Sequence, residues 1–266
     1  MEPDIVSAGY DAVYRGVSKS PTLRRLWHEL AEGPDFPEGF GHISFTTLPE
    51  LRRVAAELRL RPGDTLVDLG CGMAGPALWV ARETQAHLTG IDGAPGAVEY
   101  ASARAAELGL ADRARFVVGW FAATGLEADS ADGVMSEDAL QYAPDKQAAI
   151  AEVARILRPG GRFVFTAYEL DHARAATLPI LGTDPVEDYR PPLISAGFSV
   201  ELYEEAPGWP EPMTATYSAV LDAKEPLTQE MGEAAVGALF MEMSMTLQFK
   251  PYRRRVLVAA TKPPAR

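Results

Sequence analysis

The sequence predicts an α/β fold built on one mostly parallel sheet that ends in an antiparallel strand. Three observations predict it. Short apolar runs alternate with helical stretches through the middle of the chain, the pattern of βαβ units. A glycine-rich segment at 67–75 joins the first of these runs to the helix after it. A final β-like run follows a long helical stretch, as suits an antiparallel edge added to a parallel sheet.

The elements can be justified in order. Residues 1 to about 60 read as helical. Ser20-Pro21 opens a helix over 22–31, with Leu23, Leu26, Trp27 and Leu30 at helical spacing. A Gly/Pro-rich loop covers 33–41, and Thr47-Leu48-Pro49-Glu50 starts the next helix, with Leu51, Val54, Ala55 and Leu58 on one face. Pro49 falls in the first turn, where its missing N–H costs little. From 61 to 168, apolar runs at 65–67, 86–91, 114–118, 133–136 and 162–166 read as strands. The stretches 76–83, 95–108 and 146–157 between them read as helices. From 169 to 266 come a helix at 186–196, a strand at 198–204, a Met-, Ala- and Glu-rich helical insertion and a strand at 255–260. The whole is read as a single domain of 266 residues: a helical cap, a ligand-binding core and a substrate-side part with a helical lid.

Composition narrows the partners. The net charge is -12, against the basic surface that phosphate neutralisation demands of a nucleic-acid binder. The basic run Lys250-Pro251-Tyr252-Arg253-Arg254-Arg255 leads into apolar Val256-Leu257-Val258 and reads as a strand entry with a solvated face. Cys71 is the single cysteine, so no internal disulfide and no oxidising compartment is implied. The acidic start Met1-Glu2-Pro3-Asp4 has no leader character, and no apolar run reaches the roughly 18 residues of a membrane span. A cytoplasmic protein with a small-molecule partner is the expectation. Sequence leaves the oligomeric state open, a homodimer included. His28, His42, His87 and His172 show no ligand spacing, and no metal is expected.

The sharpest local signal is Val67-Asp68-Leu69-Gly70-Cys71-Gly72-Met73-Ala74-Gly75, at a strand-to-helix turn. Glycines there let the chain turn sharply and let a ligand lie against the backbone. Gly90-Ile91-Asp92 ends the second strand, where a carboxylate can accept from ribose hydroxyls. Gly70, Gly72 and Gly75 also satisfy G-x-G-x-x-G, which suits a dinucleotide. Asp68 argues the other way. A pyrophosphate on a helix N-terminus gains nothing from a neighbouring carboxylate, whereas a nucleoside carrying a sulfonium and an ammonium does. An NAD-dependent oxidoreductase stays as the rival reading.

Val67-Asp68-Leu69-Gly70-Cys71-Gly72 resembles motif I of the class I S-adenosylmethionine (SAM)-dependent methyltransferases. Gly90-Ile91-Asp92 resembles their ribose-binding acidic motif, and 156–165 (Ile-Leu-Arg-Pro-Gly-Gly-Arg-Phe-Val-Phe) their helix-to-strand-five signature. Order and spacing agree across 61–168. The chain as a whole is similar to actinobacterial natural-product methyltransferases, among them sugar O-methyltransferases and indole C-methyltransferases. The resemblance implies a Rossmann-like, seven-stranded sheet and SAM as cofactor. It implies that Asp68, Gly70, Cys71 and Gly72 pass under the methionine part and that Asp92 holds the ribose. Gly93 and Ala94 would lie beside the adenosine, with Gly119, Trp120 and Phe121 flanking adenine. Many relatives have Asp-Ala where Trp120-Phe121 stand, so stacking or a backbone contact would replace a side-chain carboxylate there.

In open α/β sheets the ligands lie beyond the carboxyl ends of the strands. The strand-four end, Ser136-Glu137-Asp138-Ala139-Leu140-Gln141-Tyr142, lacks the Asn/Asp-Pro-Pro-aromatic motif of nucleic-acid amino-methyltransferases. It also lacks the His pair that sugar O-methyltransferases often carry where Gln141 and Tyr142 stand. Candidate bases are then Glu169 and Asp138, with His28 next. Trp27, Tyr142, Tyr168, Trp209, Met213 and Tyr217 are the expected acceptor contacts. An electron-rich aromatic acceptor such as an indole carbon is favoured, then a sugar or phenol hydroxyl. A SAM-binding cyclase that transfers no methyl group is a further alternative.

Overall fold

The computed structural model describes residues 5–176, 178 and 185–264, with no side-chain description before residue 9. Met1-Glu2-Pro3-Asp4 lie outside the described residues.

Three helices precede the sheet: α1 (Ile5–Val17), α2 (Pro21–Trp27) and α3 (Leu48–Leu58). The first was not delimited from the sequence, although Tyr10, Val13, Tyr14 and Val17 have the i, i+3, i+4, i+7 spacing of a buried stripe. Ser20 caps α2, its hydroxyl accepting from Leu23 N at 3.0 Å, and Pro21 takes the first turn. The expected helix to residue 31 stops being α-helical at Trp27 and continues as a wide π-turn, His28–Glu32, that ends at Gly33 with φ +81°.

The alternation expected from 61 to 168 is present. It runs β1 (Thr65–Leu69), α4 (Gly75–Thr84), β2 (His87–Asp92), α5 (Pro95–Glu107), β3 (Ala114–Val118), β4 (Ala131–Glu137), α6 (Lys146–Ile156) and β5 (Leu157–Leu170). Then follow α7 (His172–Ala175), α8 (Arg190–Ser195) and β6 (Ser199–Glu205). The helix expected from residue 186 begins only at Arg190, because Pro191 and Pro192 lack N–H donors and fit only a first turn. The helical insertion resolves into α9 (Pro210–Asp222), α10 (Lys224–Met231) and α11 (Glu233–Phe249), and β7 (Arg253–Thr261) closes the order.

The seven strands form one sheet in the order β3-β2-β1-β4-β5-β7-β6. Pairing is parallel from β3 through β5; β7 runs antiparallel to both β5 and β6. Crossovers thus leave β1 to the left and β4 to the right, which places the switch point between them. One sheet face packs Leu66, Leu78, Val80 and Leu51 from β1, α4 and α3. The other packs Val67, Val134, Ile150, Val153 and Phe165 from β1, β4, α6 and β5. A third cluster sits over the carboxyl ends of the strands and joins α1, α2, α9 and α11 through Tyr14, Trp27, Met213, Tyr217 and Met243. Helices α1, α2, α9 and α11 are therefore the roof of the sheet. No helix among the described residues is long and apolar enough to cross a membrane.

Candidate active site

The site starts where β1 ends. Gly70 (φ +77°) and Gly72 (φ +48°) turn the chain back, and Gly70 N and Cys71 N both donate to Ile91 O, at 2.8 and 2.9 Å. A methyl at Gly70 would stand 2.6 Å from Ala139 Cβ, and one at Gly72 2.6 Å from Tyr14 Oη. Gly75 has a different reason: a methyl there would stand 2.0 Å from Phe40 O, so this glycine admits the 40–41 backbone against the start of α4. Asp92 ties the turn together. Its Oδ2 accepts from Gly72 N and its Oδ1 from Ala94 N, each at 2.9 Å. Burial raises the Asp92 pKa and those two donors oppose the rise.

Asp68 is only 4% exposed, and its Oδ1 has no hydrogen-bond partner among the described residues. Burial first, and the Asp92 charge second, push its pKa up to about 8. A cationic ligand could complete this buried carboxyl, whose second oxygen no group among the described residues engages. Burial likewise pushes the Cys71 thiol well above its usual range, so it is held protonated.

The loop opens into a cavity of about 500 Å³. Asp68, Gly70, Cys71, Gly72, Asp92, Gly93, Gly119, Trp120 and Phe121 line one part of it. Ala94 is buried behind the loop and is not in the lining. The rest is walled by Trp27, Tyr142, Tyr168, Met213 and Tyr217, together with Phe45. Trp27, Phe45 and Tyr217 form a ring cluster with centroids 5.4 to 6.0 Å apart. Trp209 stands behind this wall, edge-on to Tyr168 at 5.1 Å, and does not reach the cavity.

The three candidate bases are placed differently from one another. Glu169 is buried beside the sheet rather than in the cavity lining. Its Oε1 accepts from Tyr203 Oη, and its Oε2 pairs with Arg254 Nε at 2.7 Å. Successive strand residues face opposite ways, so with Tyr168 in the cavity wall Glu169 is turned from it. His28 lies on the outer side of the π-turn, half exposed, with Nδ1 3.2 Å from Glu32 Oε2. Asp138 does line the cavity, at φ +51°, but both its oxygens are engaged. Oδ1 accepts from Arg255 Nε at 2.7 Å and Oδ2 from Phe45 N at 3.1 Å. Arg255, 1% exposed, also holds Glu50 at 2.7 and 2.9 Å and Thr46 Oγ1 at 3.2 Å. Asp138 is thus a counterion inside a buried network that fastens the strand-four loop to α3 and β7.

Sequence reasoning missed several lining residues that the fold brings in, Phe45 among them. Tyr10 and Tyr14 come from α1. Glu242 comes from α11, and its Oε1 accepts from Tyr10 Oη and Tyr142 Oη, both at 2.6 Å. Burial, with the Glu242 charge as the next cause, holds the Tyr10 and Tyr142 phenols protonated. Arg253 enters from the start of β7. The pattern of α1 was readable; nothing in the local sequence marks Glu242 out from the other acids of the lid. Among the described residues, no group of three or more His, Cys, Asp or Glu is arranged to hold a metal ion.

A glycine turn at the switch point, with buried Asp68 and half-buried Asp92 beside it, thus opens into an aromatic chamber under a helical roof. Residues 67–165 match the family described as a methyltransferase domain. Over 98% of both chains, the protein is 26% identical to the 27-O-demethylrifamycin SV methyltransferase of Amycolatopsis mediterranei. It is 34% identical to a sterol 24-C-methyltransferase of Gibberella zeae, spanning 44% of this chain and 30% of that relative's own length. In structure it is similar to the [4+2]-cyclase SpnF, with a TM-score of 0.78 and 24% identity over 98% of this chain and 96% of that one. The matched domain and these likenesses support a SAM-dependent methyltransferase. The residues at the glycine turn fit that cofactor: Asp68 has an oxygen to give to a cation, and the glycines leave the backbone open beside it.

Proposed function

We propose that the chain moves the methyl group of SAM to a small molecule of specialised metabolism whose acceptor is an electron-rich aromatic, an indole carbon being the first choice. One observation carries this reading. The part of the cavity away from the glycine turn is walled by Trp27, Phe45, Tyr168, Met213 and Tyr217, a chamber for a flat apolar ring system.

When bound, the cofactor supplies an electrophilic methyl group. The chain's own residues then hold the parts in place. Asp68 would hold the cofactor's ammonium, releasing its own proton to solvent; Asp92 would hold the ribose, and Trp120 and Phe121 would flank the adenine. The aromatic walls exclude water and fix the acceptor in line with the methyl group, which is the larger part of catalysis in such a displacement. A nucleophile that loses a proton needs somewhere to send it. Glu242 fits better than Glu169 or His28, because it lines the cavity, and better than Asp138, because one of its oxygens accepts no hydrogen bond from the described residues. Net charge and the strand-four loop support an enzyme without a nucleic-acid partner.

The full-length likeness to a methyltransferase named for an O-demethylated rifamycin favours a second reading, transfer to a phenol or sugar hydroxyl. Incubation with SAM and a panel of indoles, phenols and sugars, read by mass spectrometry, separates the two. A C-methylated indole supports the first reading and an O-methylated product the second. Tight cofactor binding with no product from any aromatic or hydroxyl acceptor would count against both and favour a cyclase-like use of the fold.

A further inference from the structure

Three consecutive arginines open β7, and the structure treats them unequally. Arg254 pairs with Glu169 at 2.5 Å, and Arg255 with Asp138 and Glu50, each at 2.7 Å. Arg253 has no ion pair to a carboxylate among the described residues. It is the one of the three that lines the cavity, half-buried, with its guanidinium 5.7 Å from the Tyr168 ring centre and 5.4 Å from that of Phe249. The chain carries 37 acidic residues against 25 basic ones, so partners are not scarce. Aromatic faces only partly replace the water that such a cation loses. The aromatic ring it faces is also incomplete: the Tyr168 hydroxyl is buried in the same wall and finds no hydrogen-bond partner among the described residues.

We infer that Arg253 and Tyr168 form a subsite for a carboxylate on the acceptor, so that the substrate is an acidic aromatic compound. This rests on the methyltransferase reading and names the substrate class of that site. A guanidinium and a phenol O–H together offer a carboxylate charge-assisted hydrogen bonds that the chain itself leaves unmade. The position suits the acceptor and not the cofactor. β7 is separated from β1 by β4 and β5, roughly 14 Å at the usual strand spacing, so a cofactor carboxylate held at the glycine turn would lie out of its reach. An acidic acceptor would also meet the cofactor's positive charge within one water-poor chamber, which favours binding of the two together.

Calorimetric titration of the full chain, saturated with S-adenosylhomocysteine, with indole-3-acetate and with indole-3-acetamide tests this. The carboxylate is expected to bind about tenfold tighter than the amide or better, the scale of a charge-assisted hydrogen bond. Arg253→Gln should bring the two within about twofold, Arg253→Lys should keep part of the preference, and both variants should bind S-adenosylhomocysteine as the wild type does. Equal binding of the pair overturns the inference. So does no measurable carboxylate binding at millimolar concentration, a preference that survives in Arg253→Gln, or a loss of S-adenosylhomocysteine affinity in that variant. A wild-type chain that never takes S-adenosylhomocysteine would instead sink the methyltransferase reading itself.

Discussion

A carboxyl group kept from water holds its proton, and Asp68 is the residue where this matters. With its pKa pushed up to about 8 by burial, the folded, ligand-free protein keeps that proton over a range in which the unfolded chain has released it. The stability this contributes is complete in acid and is lost as the pH climbs through the folded value near 8. Asp68→Asn, which cannot ionise, should therefore melt above the wild type at about pH 8.5 without ligand, while binding S-adenosylhomocysteine at least tenfold more weakly. Thermal denaturation and calorimetry read both halves, and equal melting would show that the group is not held protonated. Asp138 carries the opposite lesson. Named from its position as a base, it serves in the structure as partner to a buried arginine. Asp138→Ala should cost about 1–3 kcal/mol of stability in denaturant titration, the scale of a lost charge-assisted hydrogen bond, because Arg255 keeps Glu50 as its counterion. Asp68 and Asp92 could be recognised from the sequence because spacing from the glycines fixes their place. The bond of Asp138 to Arg255, 117 positions away, could not, since only the sheet register brings them together.

The roof elements are held to one another by few polar contacts. Glu242 on α11 receives Tyr10 from α1 and Tyr142 from the loop after β4, so one carboxylate latches three segments over the cavity. Glu242→Ala should raise amide exchange in α1 and α11 by an order of magnitude or so with little change in the sheet, where ladder hydrogen bonds dominate protection. Glu242→Gln keeps an acceptor oxygen for the phenols and should leave exchange near wild type. A loss of protection in both variants would mean that the charge, and not the shape, closes the latch. The strands and crossover helices of the core were readable because period and punctuation agree there. The roof was readable only as helical: the Met-rich stretch is apolar on too many sides for its inward face to be picked out before its packing against α1 is known. Helix α2 shows the same limit. Its apolar spacing continues through Leu30, but the backbone widens into a π-turn that buries Glu32 against His42 N at 2.8 Å.

For the whole molecule, the choice between a sulfonium nucleoside and a dinucleotide becomes a stability measurement. Ligand at about 100 times its dissociation constant adds about 2.7 kcal/mol, or roughly 5–10 °C in the melting midpoint of a chain this size. S-adenosylhomocysteine should produce that shift and NADH none; the reverse would return the glycine turn to the dinucleotide reading. The strand order has a consequence for how the chain is made. β6 touches the sheet only through β7, and the carboxylates of Glu50 and Asp138 wait on Arg255, which β7 also carries. A nascent chain emerging from the ribosome can close the five strands β1 to β5 and their crossovers, but it must leave the flank of β5 bare and two acids unmatched until the segment at 253–261 appears. Closure of this side of the sheet thus waits until 253–261 have been made, and that interval is when the unfinished chain is most open to mispairing with its neighbours.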